Sequence, residues 1–426
     1  PAHPLAEEGP VYNRPLAAPS PRVESEKDWF AFAPAGTNLT ENLKKLLASP
    51  AIASKRWITE QYDTMVRTNT LAGPGASDAA VVRIKESEKT GSDGKNTMRA
   101  LALATDGNSR WCQLNPRLGA MHAVAEAARN VAASGARPIA ATNCLNFGSP
   151  EKPEVMWQFS EAIDGITEAC TALGTPITGG NVSFYNETLG KSIYPTPVIG
   201  VLGILDDASR VMKIAFRNPG DVILLLDGFD SSVGARYIVP SSDAATANSN
   251  AAREFSSSEY SKSISSIVAG DPPSIDLAAE RRLQDLLVAL AADGSVQSAH
   301  DISDGGLAVA LAESCFATVA SDLATSSSSK LLGASITLDS NSPAEHALFN
   351  ESGARAIVSV APAKLAAVLA SARQYGVAAR EIGSVHLDSA LRIQYQGHAV
   401  VDSPLDSLRD VWANSLQLQL GVQNKA

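Results

Sequence analysis

Residues 175–188 read TPITGGNVSFYNET. The segment starts as a strand, and its glycine pair predicts a break at Gly179–Gly180 with Asn181 and Ser183 just beyond it. No Gly-Lys-Ser/Thr follows, so this is not a Walker loop, and the third glycine of a dinucleotide fingerprint is missing. Two readings stay open: a tight bend, or a place where a ligand needs close access to the backbone.

The neighbouring segments set the fold class. RPIAATNCLNFG (137–148) reads as a strand running into a polar loop. Pro153 then opens a helix whose apolar positions Met156, Phe159, Ile163, Ile166, Cys170 and Leu173 recur at spacings of three and four. TPVIGVLGIL (196–205) is a further apolar strand. Upstream, Asn38 to Met65 is expected to be mostly helical. AAVVRIK (79–85) and RALALATDG (99–107) read as strands, and GAMHAVAEAARNVAASGA (119–136) as a helix ended by Gly135.

A second unit starts near Val211. It contains the strand DVILLLDG (221–228), a helix at 274–294 with Leu283, Leu286, Leu287 and Leu290 on one side, and a loop feeding a helix at 298–317. The strand ARAIVSVA (354–361), the helix 362–376 and the strand ALRIQY (390–395) complete it. Strands and helices alternate in both units, so the class is α/β (α+β). The expected organisation is a proline-rich extended linker over 1–40, a first domain over 41–208, a second over 209–396 and a tail over 397–426. Residues 241–266, rich in Ser and Ala without periodicity, are expected to be a flexible insertion.

The chain has 426 residues, with 35 basic and 45 acidic side chains and a net charge of −10. No basic block stands out, which disfavours nucleic acid and membrane surfaces as partners. No apolar run spans a bilayer and no signal peptide is visible. Cys112, Cys144, Cys170 and Cys315 form no CxxC pair and read as reduced thiols of a cytoplasmic protein. The first residue is Pro1 rather than Met, so the chain is expected to be processed or part of something longer.

Four places put oxygen donors beside glycine or on one helix face. They are Thr105–Asp106–Gly107 at a strand end; Glu126 and Asn130, one turn apart; Asp301, Ser303 and Asp304 before Gly305; and Gly180–Asn181–Ser183. Mg²⁺ takes one or two carboxylates plus phosphates and water, so Asp106, Glu126, Asn130 and Asp301 suit a magnesium–nucleotide. Each place also has a plain structural reading. Asp304 is expected to N-cap the following helix, Asp106–Gly107 and Gly179–Gly180 could be turns, and Glu126 with Asn130 a solvated face. Among the histidines, His122 reads as a half-buried helix residue, His346, His386 and His398 lack polar clusters, and His300 beside Asp301 is the one to watch.

The segments SPAIASKRWITEQYD (49–63), AEAARN (125–130), NCLNFGSPEKPEVMWQFSEAIDGITEAC (143–170), ITGGNVSFYNET (177–188) and SAHDISDGGLAVALAES (298–314) together resemble the small-type synthetase of the phosphoribosylformylglycinamidine synthase family. The family is also called formylglycinamide ribonucleotide amidotransferase. The resemblance covers roughly residues 10–417 and is to the second of two pseudo-symmetric halves, with EGPVYNRP (8–15) like the joining segment. It implies an aminoimidazole ribonucleotide synthetase-like pair of N-terminal and C-terminal domains. The implied reaction takes formylglycinamide ribonucleotide, ATP and ammonia to the amidine with Mg²⁺, in purine biosynthesis. Ammonia comes from a glutaminase subunit (PurQ), with a small subunit (PurS) and the N-terminal half as further partners.

The resemblance also implies residue roles. Asn143 and Gly180 fall at ATP contacts, Asn181 at a Mg²⁺ ligand and Ser183 at a substrate contact. Asn143 replaces an aspartate of the family. Asp106, Glu126, Asn130 and Asp301 fall at metal ligands of an auxiliary nucleotide site, with Thr105 and Ser303 beside it. The family's catalytic histidines belong to the first half, so no catalytic residue is expected in this chain. Two alternatives accompany this reading: another ATP-using enzyme of the same superfamily working as a homodimer, and a non-catalytic nucleotide-binding lobe.

Overall fold

Two mixed sheets organise the chain, each antiparallel but for one pair. The computed structural model describes residues 12–20, 22–34, 36–85, 89–90, 96–229, 244–316 and 331–421. The first sheet contains β1 (Thr70–Ala72), β2 (Ala80–Arg83), β3 (Ala100–Asp106), β4 (Arg137–Asn146), β5 (Ile177–Ser183) and β6 (Thr196–Leu205), in the order β1-β2-β3-β6-β4-β5. The helices up to this point are α1 (Thr40–Leu47), α2 (Ser109–Leu114), α3 (Pro116–Ala133) and α4 (Pro153–Leu173). Only β4 and β5 run parallel, and α4 is the crossover that a parallel pair needs.

Local chemistry places the helix ends. Asn115 Oδ1 accepts the Leu118 N–H at 3.0 Å, and Pro116 follows at the first helical position of α3. Pro153 opens α4, and Gly174 closes it with a left-handed φ of 70°.

In β3 the small residues Ala100, Ala102 and Ala104 face the helices, while Leu101, Leu103 and Thr105 point to the other side. The contact is alanine on alanine, because α3 buries Ala120, Ala123, Ala127 and Ala128. Among the described residues, nothing covers the far face of this sheet. Leu103 is 47% and Val82 39% exposed there, and cross-strand register adds the half-buried Leu101, Leu202 and Ile204.

The second sheet is covered on both faces. It contains β7 (Val222–Asp227), β8 (Ser298–Asp301), β9 (Gly333–Leu338), β10 (Arg355–Val360), β11 (Ala378–His386), β12 (Ala390–Tyr395) and β13 (His398–Pro404), in the order β8-β10-β7-β11-β9-β12-β13. Its helices are α5 (Ala244–Phe255), α6 (Glu259–Ser265), α7 (Leu277–Asp293), α8 (Gly306–Phe316), α9 (Ala344–Phe349), α10 (Leu365–Gln374) and α11 (Leu405–Gln419). Ile223 and Leu225 of β7 join one core with α1 and α8, while Leu224 and Leu226 join another with α7 and α10. Among the described residues no helix is long and apolar enough to cross a membrane, and the four cysteines are free.

Several expectations are corrected. Between Asn38 and Met65 only α1 and the turn Arg56–Thr59 are helical. Pro50 biases Ser49 away from helical backbone, and α1 ends at Leu47. Leu43, Leu46 and Leu47 of α1 pack in the core of the second sheet, although residues 41–208 read as one unit.

The insertion 241–266 is two helices from Ala244 on, with Phe255 and Tyr260 in the core; 241–243 lie outside the described residues. Its serines hid this by lowering the apolar content. One of them, Ser258, caps α6 by accepting the Ser261 N–H at 3.1 Å. The linker 1–40, described except for 1–11, 21 and 35, is anchored near its end. The Phe30 N–H donates to Ser256 Oγ at 2.7 Å, and the Phe30 ring meets Phe255 and Tyr260 edge-on. A strand, β8, occupies the start of the segment read as a loop at 298–317.

Candidate nucleotide and metal site

The acidic residues gather where the two units touch. Asp106 ends β3, Asp301 ends β8, Ser303 and Asp304 form the turn into α8, and Glu126 and Asn130 lie on α3. α3 joins the units, because its Ala132 and Ala133 share a core with Leu283, Leu286 and Leu287 of α7. Asn130 Nδ2 donates to Asp106 Oδ2 at 3.0 Å, and the Gly107 N–H donates to Asp106 Oδ1 at 3.0 Å. Glu126 and Asn130 are thus part of an acidic cluster rather than a solvated face.

Burial and mutual repulsion raise the carboxyls together. Burial, then the charges of Asp304 and Asp301, push Asp106 up to about 8. Burial, then Asp106 and Asp301, hold Glu126 well above the carboxylate range. Burial raises Asp304 as well, against the pull of Arg110. An excess of crowded carboxyls is the condition that a bound cation relieves. Among the described residues, no three His, Cys, Asp or Glu side chains stand close enough to cage an ion by themselves. The donors fit Mg²⁺ only with Asn130, water and phosphate oxygens completing the shell, which is how Mg²⁺ is usually held.

Asp301 differs from its neighbours. Arg129 donates to it through Nε and through Nη2, the latter at 3.3 Å, and through Nη1 to Glu280 at 2.6 Å. Burial works against the charge on Arg129, yet Asp301 and Glu280 hold its guanidinium protonated well above its usual range. The backbone N–H of Asp301 donates to Asp78 Oδ2 at 2.8 Å. His300 lies between Asp78 (2.6 Å) and Glu313 (3.1 Å); burial opposes its charge, but the two carboxylates raise it well above the ordinary histidine value.

Asp304 is not the cap expected of it. The carboxylate at the start of α8 is Glu351, which accepts the Gly305 N–H at 2.8 Å, and Asp304 stands 4.0 Å from Arg110. The carbonyl of Ser303 accepts the Gly306 N–H at 2.9 Å.

The glycine pair does not break its strand. β5 runs from Ile177 through Gly179 and Gly180 to Ser183 as the edge of the sheet. Gly180 pairs with Asn143, and a Cβ at Gly180 would collide with Asn143 Oδ1. The chain does not bend at this glycine, whose missing side chain makes room for that of Asn143.

Register also sorts the residues by face. Asp106, Ile199, Asn143 and Gly180 form one cross-strand row, and Ile199 is fully buried on the helix side. Because side chains alternate, Thr105, Asn181 and Ser183 project to the open face. The structure therefore brings Asp106, Glu126, Asn130 and Asp301 together. It places Asn143 and Gly180 on their side of the sheet, and Asn181 and Ser183 on the other. Ser183 Oγ lies 3.2 Å from Asn186 Nδ2, which also donates to the Phe147 and Ser183 carbonyls.

Sequence reading missed Arg129, Asp78, Glu280 and Glu351. Arg129 carried a signal, since it lies one turn from Glu126 on the same helix; the others come from distant segments and carried none. His122 and His346 are both buried, which lowers them to about 4 and about 3. His346 also contacts Asn350, contrary to its isolated appearance in the sequence.

A sheet covered on one face, a second covered on both, and carboxylates at their junction define a two-domain α+β architecture with an acidic cluster between the units. Residues 76–205 match the AIR synthase related protein N-terminal domain, and residues 218–396 the corresponding C-terminal domain. The chain belongs to the AIR synthase related family. Within it, the chain is similar to phosphoribosylformylglycinamidine synthase subunit PurL of Moorella thermoacetica, 41% identical over 98% of this chain and 50% of that subunit. T. maritima PurL complexed with FGAR shares the fold, with a TM-score of 0.61 at 20% identity over 87% of this chain and 53% of that one. The same protein complexed with ADP gives 0.59 at 19% identity over 87% and 51%. The chain spans about half the length of the curated relatives it matches.

Proposed function

We propose that this chain is the second half of an ATP-dependent synthetase that makes formylglycinamidine ribonucleotide from formylglycinamide ribonucleotide, ATP and glutamine-derived ammonia. The observation that carries the reading is the match of nearly the whole chain to half of a PurL subunit at 41% identity. In this reading Asn143 and Gly180 contact ATP, Asn181 offers its amide oxygen to Mg²⁺, and Ser183, held by Asn186, contacts the substrate. Asp106, Glu126, Asn130 and Asp301, with Ser303 and with Thr105 on the opposite face of β3, make up the auxiliary nucleotide site.

ATP phosphorylates the amide oxygen of the substrate, and ammonia displaces the phosphate. Mg²⁺ would neutralise the phosphoryl charge. The chain's part is to align the reactants and exclude water. Proton transfer falls to the other half, which is consistent with the state of the histidines here. His122 and His346 are buried and neutral, and His300 is locked between two carboxylates.

The open sheet face is the surface offered to the N-terminal half, since Val82 and Leu103 are exposed and apolar there. A glutaminase subunit (PurQ) and a small subunit (PurS) would complete a cytoplasmic assembly. A second copy of the chain would also fit that face, as in a homodimeric enzyme of the same family.

The test is turnover of substrate with ATP and ammonia, by the chain alone and after joining to an N-terminal half. Activity only in the joined protein is expected. Activity of the chain alone, or a stable homodimer with its own ATPase, would overturn its role as a half. A folded but inactive joined protein would overturn the reaction.

A further inference from the structure

Arg129 is a cation built into the acidic cluster. It rises from α3 between Glu126 and Asn130 and is 2% exposed. Its guanidinium presents Nε and Nη2 to the carboxylate of Asp301, the two-point geometry that fixes arginine on a carboxylate. Nη1 is taken by Glu280 Oε1 at 2.6 Å. Glu280 is itself fixed, since the same oxygen accepts the Ala354 N–H at 2.6 Å and a side chain at Gly353 would collide with it. Asp301 is 2% exposed and tied by its own N–H to Asp78. A metal ion that took Asp301 as a ligand would have to share or displace this contact and leave a buried guanidinium short of its partner. That is costly, because a buried charge stripped of its counter-ion is strongly destabilising.

We propose that Arg129 occupies a cation position of the auxiliary site. Its guanidinium stays paired with Asp301 and keeps it out of the metal shell, so the divalent ion is held by Asp106, Glu126 and Asn130 with the nucleotide phosphates. The inference rests on the auxiliary-site reading above and changes its ligand set. Arginine suits the position because it stays charged at every working pH and matches a carboxylate with a planar fork. Asp301 is then a positioning residue, holding Arg129 and the end of α3 in place.

The test is Mn²⁺ titration of the full chain with ADP present, read by the electron paramagnetic resonance of free Mn²⁺. Asp106→Asn is expected to weaken Mn²⁺ binding tenfold or more, while Asp301→Asn changes it less than threefold. Arg129→Gln, which frees Asp301, is expected to bind Mn²⁺ several-fold more tightly or to gain a second equivalent. An Asp301→Asn loss equal to that of Asp106→Asn overturns the proposal and leaves the site standing. Binding indifferent to Asp106→Asn overturns the site and the proposal with it. Should a single variant fail to fold, the double variant Arg129→Gln/Asp301→Asn, which removes both charges, takes its place. Affinity within threefold of the parent supports the proposal, and a tenfold loss overturns it.

Discussion

Asn143 shows how much one atom can decide. It stands where the family that the sequence resembles has an aspartate, and its side chain lies against Gly180. Restoring the charge with Asn143→Asp is expected to tighten magnesium–ATP binding by about tenfold to a hundredfold, the worth of a charged hydrogen bond at ~1.5–3 kcal/mol. Calorimetric titration checks this, and an unchanged affinity would mean that position 143 does not touch the nucleotide. Asp106 supports a second prediction. Its folded value of about 8 lies above the ordinary 3.8, so its protonated form contributes stability that is complete below about pH 4 and lost as pH rises through about 8. The cation-free chain should therefore melt lower at pH about 8.5 than at pH about 5, with Mg²⁺ restoring the difference and Asp106→Asn reducing it. Scanning calorimetry at the two pH values decides; a dependence unaltered in Asp106→Asn would place its origin elsewhere. The carboxylates and Asn130 were legible because each sits beside glycine or one turn from another donor. The engagement of Asp301 by Arg129 and Asp78 was not, because those contacts join residues 172 and 223 positions apart.

At the scale of elements, α4 was legible in extent and, for the second half of its apolar stripe, in facing. Its Pro153 start and Gly174 end follow from local sequence, and its six apolar positions suggested the buried stripe. Of these, Ile166, Cys170 and Leu173 are buried and Met156, Phe159 and Ile163 half-buried, and the small residues Ala162, Gly165 and Ala169, with Val155, are buried beside them. The small residues are buried because the helix lies close against α3, where a side chain at Gly165 would collide with the Arg117 carbonyl oxygen. Gly165→Ala is accordingly expected to lower stability by ~1–3 kcal/mol, the usual cost of overfilling a packed contact. Urea unfolding measures it, and a neutral result would mean the two helices separate freely. The Ser-rich segment failed in the opposite direction. Its composition read as unstructured, but Phe255 and Tyr260 give it enough apolar area to fold onto the core with Phe30.

At the scale of the molecule, the asymmetry between the sheets is the main functional statement. The second sheet buries both faces in its own chain. The first leaves Val82 and Leu103 facing outward with Leu101, Leu202 and Ile204 around them. Leu103→Glu should leave the chain folded, because the side chain already meets solvent, and should block assembly with the N-terminal half. Analytical ultracentrifugation of the mixed halves tests this; assembly at parental affinity would move the interface off this face.

The sequence by itself determined the α+β class, most strands and helices, and which carboxylates and amides could meet an ion, because those follow from short-range periodicity, glycine and proline placement, and donor chemistry. Tertiary structure alone decided that β5 continues through its glycines, that α1 belongs to the second core, that Asn181 and Ser183 face away from Asp106, and that Asp301 is held by an arginine. These depend on strand register and on packing between distant segments, which no local pattern encodes.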